Sequence, residues 1–420
     1  MDKSPQPPSE CDVAIIGGGP SGLAAATELK KLGVNSVVIL EREAEAGGIP
    51  RHCAHSPFGM REFKRVYNGA NYTLKLSQRA MDQGVVICLN TSVIALHKHT
   101  QLTLSTPHGV QTLHAKKVII CTGIRETPRA KRLVSGQRPL GIMTTGALQS
   151  MISLKHKRPF KQPIIIGTEL VSFSALLSCR SAGIRPIAML EKNARITAKY
   201  GTQILAKVLG IPIYYESELS NIIGKHHVNA VDIVSKKSSF KNRLQCDGVI
   251  FTGQFIAESS LLSMSHLKID PHSANPIIDQ FGRCSDSDYF ATGNMTHPVE
   301  TAGYCWSNGI KTAQLVYASL KGRLDCYQQH ARITSASADI KYIIPQTIAI
   351  SSKKNELAGI NALQIRVNKA LKGRLSIRSG EKILVQKNIN TLPERRVELA
   401  LPELVKNDAN ASLQLYFESG

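Results

Sequence analysis

The opening stretch of the chain constrains its fold more than any other. Residues 12–16, Asp-Val-Ala-Ile-Ile, form a short apolar run of the kind a buried parallel strand requires. Gly17, Gly19 and Gly22 follow in G-x-G-x-x-G spacing, Leu23 to Leu32 continues with helical character, and a second apolar run, Val37 to Leu40, ends at Glu41. The first glycine permits a tight turn, the second lets a pyrophosphate approach the backbone, and the third lets the helix pack closely on the strand. The helix that starts at Pro20 and Ser21 turns its N-terminus toward the phosphates. Glu41 lies 19 residues past Gly22, where a carboxylate can accept hydrogen bonds from ribose hydroxyls, with Arg42 beside it. A glycine string alone is weak evidence. Here strand, turn, helix, strand and acid come in order, and together they predict a dinucleotide-binding lobe.

The pattern returns about 150 residues later. Pro163 to Ile166 reads as a strand, Gly167 opens a turn, Ser172 to Ala182 reads as a helix, and Ile187 to Leu190 as the next strand, ending at Glu191. This repeat predicts one nucleotide-binding fold inserted within another. The second turn reads G-T-E-L-V-S, with Glu169 in the second glycine position and Ser172 in the third. A side chain at Glu169 obstructs phosphate approach, and its charge repels a pyrophosphate. Gly167 and Glu191 still suit the ribose of NAD, and an acid there disfavours the 2′-phosphate of NADP, so the second site is a compromised NAD site.

Two features select FAD for the first site. Gly47-Gly48 follows Glu41 closely, giving a stretch where backbone can press against a cofactor. The apolar run Lys117 to Cys121 ends in Thr122-Gly123, and Tyr289-Phe290-Ala291 ends in Thr292-Gly293-Asn294. Both strand ends resemble those of flavoproteins with two dinucleotide folds. In that superfamily the later one usually carries an acid for the ribitol chain; Asn294 offers a hydrogen bond without the charge. The helix expected over Thr301 to Tyr317 directs its N-terminus at the flavin's pyrimidine edge, which favours negative charge on a reduced flavin.

Three segments carry a narrower resemblance: GGIPRHCAHSPFGMREF at 47–63, GTELVSFSALLSCRSAGIRPIAMLE from Gly167, and ATGNMTHPVETAGYCWSNG from Ala291. Together they resemble the FAD-binding A subunit of opine oxidases, the B subunit of hydrogen cyanide synthase and the alpha subunit of dye-linked proline dehydrogenase, within the pyridine nucleotide-disulfide oxidoreductase superfamily. The resemblance covers about residues 10–330. It implies two nested Rossmann-like α/β domains, a partner in the form of a second flavoprotein subunit, and an amine or amino acid for the small-molecule substrate. In that family a glutamate at the Glu169 position is usual. Many relatives continue into a cysteine-rich iron–sulfur segment, whereas no cysteine follows Cys326 here.

The expected division is a tail at 1–9, an FAD domain from 10–128 and 256–335, an NAD-like insert at 129–255, and a β-rich domain at 336–420 with short alternating runs such as Leu375-Ser376-Ile377. The nine cysteines are scattered and contain no C-x-x-C pair, which argues for reduced thiols in the cytoplasm. A disulfide reductase needs two neighbouring thiols, and Cys53 stands alone. His52, Cys53 and His55 fit no familiar zinc spacing, so no metal site is expected. Arg51, His52 and Cys53 from the first lobe and His297, Glu300 and Thr301 from the second stretch are candidates to flank the isoalloxazine, with His52, Cys53 and His297 the candidate catalytic groups. Tyr304 and Trp306 are expected to pack their helix onto the sheet.

The net charge of +21 draws the chain to anionic surfaces, and nine cations between Arg125 and Lys161 face one acid, Glu126. Aromatic residues at 5% are too few for a base-stacking platform, so nucleic acid is not expected. A solvated or protein-docking face is the expectation, with membrane contact not predicted. Two other roles fit the same motifs: a stand-alone NADH-dependent flavin reductase, and a scaffold that holds FAD while a partner does the chemistry.

Overall fold

The structure, a computed structural model, describes residues 5–235, 241–297, 299–324, 330–335, 337–350, 359–393, 395–402 and 412–419. The first strand, Glu10–Ile16, lies between Val37–Leu40 and Gly109–Ile120, parallel to both. Its side chains alternate across the sheet with period two. Val13 and Ile15 face Leu23, Ala26 and Leu29 of the helix Pro20–Lys31 and Ala313 and Val316 of the helix Ala302–Leu320. Ala14 and Ile16 face the opposite core with Leu102, Leu113, Tyr289 and Met295. Apolar residues on both faces suit a strand covered on both sides. The first lobe's sheet has seven strands, with Val86–Cys88 at one edge and Ser92–Leu96 at the other. The strand Tyr289–Ala291 returns from far along the chain to pair parallel with the end of Gly109–Ile120.

The second lobe repeats the plan. Pro163–Ile166 lies between Ala188–Leu190 and Gly248–Phe251 in a five-stranded parallel sheet. A four-stranded sheet, from Ser135–Gly136 to Lys241–Gln245, packs beside it. The chain passes between the lobes through an antiparallel ribbon of Ile124–Glu126 with Phe255–Ala257.

Past the long helix, two sheets of five and three strands enclose a separate core that includes Leu363, Ile365, Leu375, Ile377, Leu413 and Leu415. One boundary differs from the sequence expectation. His330–Ser335 falls within the stretch expected for the first lobe, yet it pairs antiparallel with Thr347–Ala349 and parallel with Ser412–Ser419, inside the C-terminal sheet. Strand order in a sheet follows long-range pairing, which the local pattern at 330–335 does not encode. In the expected tail, the strand begins at Glu10, Ser9 O already accepts a hydrogen bond from His114 N, and residues 1–4 lie outside the described residues, as does Cys326.

Candidate functional site

The first glycine turn is built from main chain on main chain. Gly17 has φ of 106°, and a Cβ there would lie 2.6 Å from Cys121 O. A Cβ on Gly22 would collide with Gly17 O, so the helix Pro20–Lys31 starts directly against the turn. The Gly47-Gly48 segment folds over this turn: Gly47 N donates to Gly18 O at 2.7 Å, and a Cβ on Gly48 would sit 3.0 Å from the Gly19 Cα. Gly19 itself, with φ of −75°, meets only the Gly48 Cα at 4.0 Å. The result is a cradle walled by backbone, open at Gly19 and flanked by a helix N-terminus without a side-chain cap.

Glu41 ends the second strand where expected and is buried. Its Oε2 accepts from Gly18 N at 2.7 Å and its Oε1 from Glu43 N at 2.9 Å. Two lone-pair positions remain on the carboxylate for hydroxyl groups. Arg42 is exposed beside Glu43 at 3.6 Å. Arg51 is buried, paired with Glu45 at 3.2 Å, and its Nε has no hydrogen-bond partner among the described residues; neither does His52 Nδ1. Cradle, acid and these two buried polar atoms fit a dinucleotide with a polar ring system.

Other expected contacts are placed differently. Ser21 is buried, with its hydroxyl 2.5 Å from where a Gly293 Cβ would be. Thr122 Oγ1 donates to Glu258 O at 2.9 Å, and Gly123 O accepts from Glu258 N at 2.9 Å, tying this strand end to the inter-lobe ribbon. Gly293 sits at the end of Tyr289–Ala291, with φ of 71°. Asn294 is engaged at both ends of its amide: Oδ1 accepts from Glu300 N at 2.8 Å, and Nδ2 donates to Glu300 O at 3.2 Å. It therefore closes the loop back to Glu300 with one donor and one acceptor position of its amide, and one of each remains. Thr301 caps the helix Ala302–Leu320, accepting from Tyr304 N at 3.4 Å.

Of the candidate catalytic groups, His52 and Cys53 lie at the end of Ile49–His52, and His297 follows Gly293–Met295. Burial first, then Arg51, pushes His52 below the ordinary histidine value, so it is neutral near pH 7. Cys53 is buried with its thiol pushed up to about 12 by desolvation, and its Sγ lies 3.7 Å from Gln149 Oε1 of the second lobe. His55 Nε2 lies 2.6 Å from Ser174 Oγ, and Ser153 Oγ donates to His52 O at 2.7 Å. The 52–55 segment thus joins the lobes. A thiol held neutral is no nucleophile at physiological pH. His297 is 4% exposed and pushed down to about 3 by burial, then by Arg396 and Arg366. Its Nδ1 pairs with Thr296 Oγ1 at 2.7 Å, while Nε2 has no partner among the described residues. A proton donor there would have to work as neutral imidazole.

The second turn keeps the frame and loses the opening. Gly167 N donates to Leu190 O at 2.8 Å, as Gly17 N does to Leu40 O at 2.9 Å. Glu169 occupies the N-cap position of the helix Leu170–Ser181 without a side-chain capping bond, and its carboxylate lies back against Gly167 and Gly253. A Cβ on Gly167 would lie 2.7 Å from Glu169 Oε2, and one on Gly253 would collide with the same carboxylate. Thr252 Oγ1 donates to it at 3.2 Å and Ser172 Oγ at 3.4 Å. Desolvation, opposed in part by hydrogen bonding, raises the Glu169 pKa above the ordinary glutamate value. Glu191 is 2% exposed and takes donors from Thr168 Oγ1, from Thr197 Oγ1 at 3.1 Å, and from Asn193 N and Nδ2 at 2.9 and 2.7 Å. Its four acceptor positions are filled.

The basic stretch is partly consumed inside the protein. Arg129 donates to the carbonyls of Ser135 at 2.8 Å and Gly136 at 3.0 Å, and Arg132 to those of Thr127 at 2.7 Å and Gly253 at 2.8 Å. These two half-buried guanidinium groups hold neighbouring loops, while the other seven cations of the stretch are exposed. No helix among the described residues is long and apolar enough to cross a membrane.

The C-terminal contribution to this region has no counterpart in the motifs of the first lobe. Tyr304 does not pack its helix on the sheet: its hydroxyl donates to Gln364 Oε1 at 3.0 Å, and the Arg396 guanidinium lies 4.0 Å over its ring. Local sequence carries no signal for contacts 60 or 96 residues apart.

Two nested nucleotide folds with an open first cradle define an FAD-dependent oxidoreductase of the two-dinucleotide-fold class. The chain belongs to the pyridine nucleotide-disulphide oxidoreductase family, whose model matches residues 11–318. It is similar to the A subunit of opine oxidase from Rhizobium meliloti (strain 1021), 23% identical over 185 residues, covering 44% of this chain and 39% of that protein. It is also similar to the alpha subunit of sarcosine oxidase from Corynebacterium sp. (strain P-1), 26% identical over 198 residues, covering 44% of this chain and 20% of that one. The matched part therefore spans less than half the length of these two relatives. Among solved structures, T. acidophilum thioredoxin reductase superposes with a TM-score of 0.63 at 22% identity, covering 74% of this chain and 99% of that one. L-proline dehydrogenase from P. horikoshii gives 0.56 at 15% identity, covering 75% and 58%. These likenesses show the fold. FAD, when bound, supplies the redox step, and the chain supplies the cradle, the Glu41 carboxylate and the electrostatics of the helix end.

Proposed function

We propose that the chain is the electron-transferring FAD subunit of an amine, amino-acid or opine dehydrogenase. The observation that carries this reading is the contrast between the two turns: the first is open for FAD, while Glu169 fills the phosphate seat of the second. NAD could enter that seat only by displacing the carboxylate. Cys53 has no second cysteine near it in the sequence, its thiol is held neutral by burial, and all eight described cysteines are free and buried, which does not favour a dithiol relay at the flavin. Both features support an electron donor other than NADH or a dithiol. The names of two relatives, the A subunit of opine oxidase and the alpha subunit of sarcosine oxidase, support a partner that oxidises the amine. Uniformly buried, unpaired thiols support a cytoplasmic setting.

The test uses the full chain reconstituted with FAD. Under anaerobic conditions it is mixed in turn with NADH, sarcosine, L-proline and octopine, and the flavin band is followed. The expected result is a stable oxidised flavin in all four, because the chain alone lacks the amine-oxidising partner. Rapid bleaching by NADH would make it a flavin reductase. Turnover of an amine by the chain alone would remove the need for a partner.

A further inference from the structure

One face of the first lobe is left uncovered by the described residues. Phe58 and Tyr67 exchange backbone hydrogen bonds at 3.0 and 2.9 Å and so close the loop between them. The rings of this loop turn toward the helix Gly69–Asp82. Phe58 stacks on Tyr72 at 5.7 Å, and Phe63 meets Tyr67 and Tyr72 edge-on at 5.6 and 6.2 Å. Arg79 of the same helix covers Phe63 at 4.2 Å. With its rings turned inward, the loop leaves Met60 and Val66 outside, 55% and 56% exposed, and Leu74 on the helix is 65% exposed. Exposed apolar side chains scattered singly are ordinary, but three large ones between positions 60 and 74 require an account.

The exposed charges around them have one sign. Arg61, Lys64, Arg65 and Lys75 are exposed, and none forms an ion pair with a described residue. Lys75 Nζ lies 5.6 Å from the centre of the Tyr67 ring, which joins helix and loop into one surface. The acid of the loop, Glu62, is buried and accepts from the Tyr72 hydroxyl at 2.7 Å. Asp82, at the far end of the helix, accepts from Gln78 Nε2 at 2.8 Å. An apolar centre ringed by cations matches an anionic lipid surface, whose headgroups supply the opposite charge and whose acyl boundary takes the apolar side chains. A second copy of the chain would bring the same cations and a net charge of +21, so like charges oppose self-association. A protein interface gathers aromatic rings at its core and is poor in lysine, whereas here the rings face inward and lysines face out.

We propose that the face from Met60 to Lys75 is a peripheral docking site for an anionic membrane surface. The cations draw the protein to the headgroups, and Met60, Val66 and Leu74 enter the interface. Docking of this kind is reversible, since it combines charge attraction with a small apolar area. It needs no helix across the bilayer, and it does not depend on which electron donor the flavin serves.

The test is flotation of the full chain with vesicles of phosphatidylcholine, and with vesicles of equal parts phosphatidylcholine and phosphatidylglycerol. Binding is expected to the anionic vesicles alone. Lys64→Gln with Arg65→Gln is expected to weaken it about thirtyfold. Removing the same charge from the second lobe, by Lys131→Gln with Lys225→Gln, is expected to change it less than about threefold, because distant charges are screened. Met60→Ser, Val66→Ser and Leu74→Ser together are expected to leave only weak binding that salt releases, whereas the wild type keeps a salt-resistant part. All the substituted side chains are exposed, so urea midpoints are expected to match the wild type. Wild-type protein that floats with neither vesicle overturns the proposal. So do equal losses from the two charge pairs, which would mean that net charge alone acts, and a triple serine variant that binds like the wild type.

Discussion

The two nucleotide folds of this chain share a frame and differ in what occupies it. In each, the turn's first N–H donates to the end of the neighbouring strand, Gly17 to Leu40 O and Gly167 to Leu190 O. In each, the acid that ends that strand is held from the turn, Glu41 by Gly18 N and Glu191 by the Thr168 hydroxyl. Even the carbonyls of the acids are held alike, by residues much later in the chain, with Thr91 N donating to Glu41 O at 2.9 Å and Ser217 N to Glu191 O at 3.0 Å. The frame is therefore set by strand–turn–helix geometry, which both sequences keep. Occupancy is set by a few side chains. Gly19 leaves an opening and Glu169 fills one. Glu41 retains acceptor positions, and Glu191 has spent its four on Thr168, Asn193 and Thr197. A nucleotide fold can thus keep its frame while a side chain fills its phosphate seat.

The largest expected effect that sharpens this contrast comes from the third turn position. Gly22→Ala forces a methyl group against Gly17 O, so either the helix or the turn must shift. Overpacking of this kind costs about 1–3 kcal/mol or more, and the shift distorts the FAD cradle as well. Urea unfolding should show the loss, and the variant should retain little flavin. The matching change in the second lobe, Ser172→Ala, removes a hydroxyl bonded to Thr252 Oγ1 at 2.6 Å and should cost only about 1 kcal/mol. Equal losses in the two lobes would break the comparison.

A smaller effect comes from Glu169. Its folded-state pKa lies above the ordinary value because burial penalises the carboxylate. Below about pH 4 the group is protonated in both folded and unfolded chains and has no differential effect. As pH rises through the ordinary value of about 4.3, the unfolded chain gives up its proton first, and native stability falls until the folded group has ionised too. Glu169→Gln removes this penalty. Its stability relative to wild type, followed by urea midpoint, should grow as pH rises from 4 to 8. A constant difference across that range would mean that Glu169 does not carry a buried charge.

Much of the frame is legible in the sequence. The strand Val37–Leu40, the helix after Gly22 and the repeat from Pro163 obey short-range periodicity and turn chemistry, which leave their mark within windows of ten to thirty residues. Glu169 is legible as an obstruction, because any side chain at the second glycine position projects toward the phosphate. Its hydrogen bonds to Thr252 and its place over Gly253 are not, since those residues arrive more than 80 positions later. Asn294 follows a familiar strand end, which predicts a ligand for the cofactor, but its two hydrogen bonds to the Glu300 backbone are not legible in that local pattern. The contact of the Ser21 side chain with Gly293 likewise leaves no local mark, because Gly293 arrives far along the chain. Arg366 and Arg396 of the C-terminal domain, which pair with Glu300, have no local signature at all: an ion pair formed across 66 or 96 residues depends on how whole domains dock.

The most direct measurement is an equilibrium titration of FAD, followed by flavin fluorescence, on wild type and on two exchanges between the turns, Gly19→Glu and Glu169→Gly. Gly19 has a backbone conformation any residue adopts and open space around it, so a glutamate there perturbs the ligand rather than the fold. The expected result is one FAD per wild-type chain, on the order of a hundredfold weaker binding in Gly19→Glu, equivalent to about 2.7 kcal/mol, and unchanged FAD binding in Glu169→Gly. FAD affinity that survives Gly19→Glu and responds instead to Glu169→Gly would place the flavin in the second lobe and contradict the account.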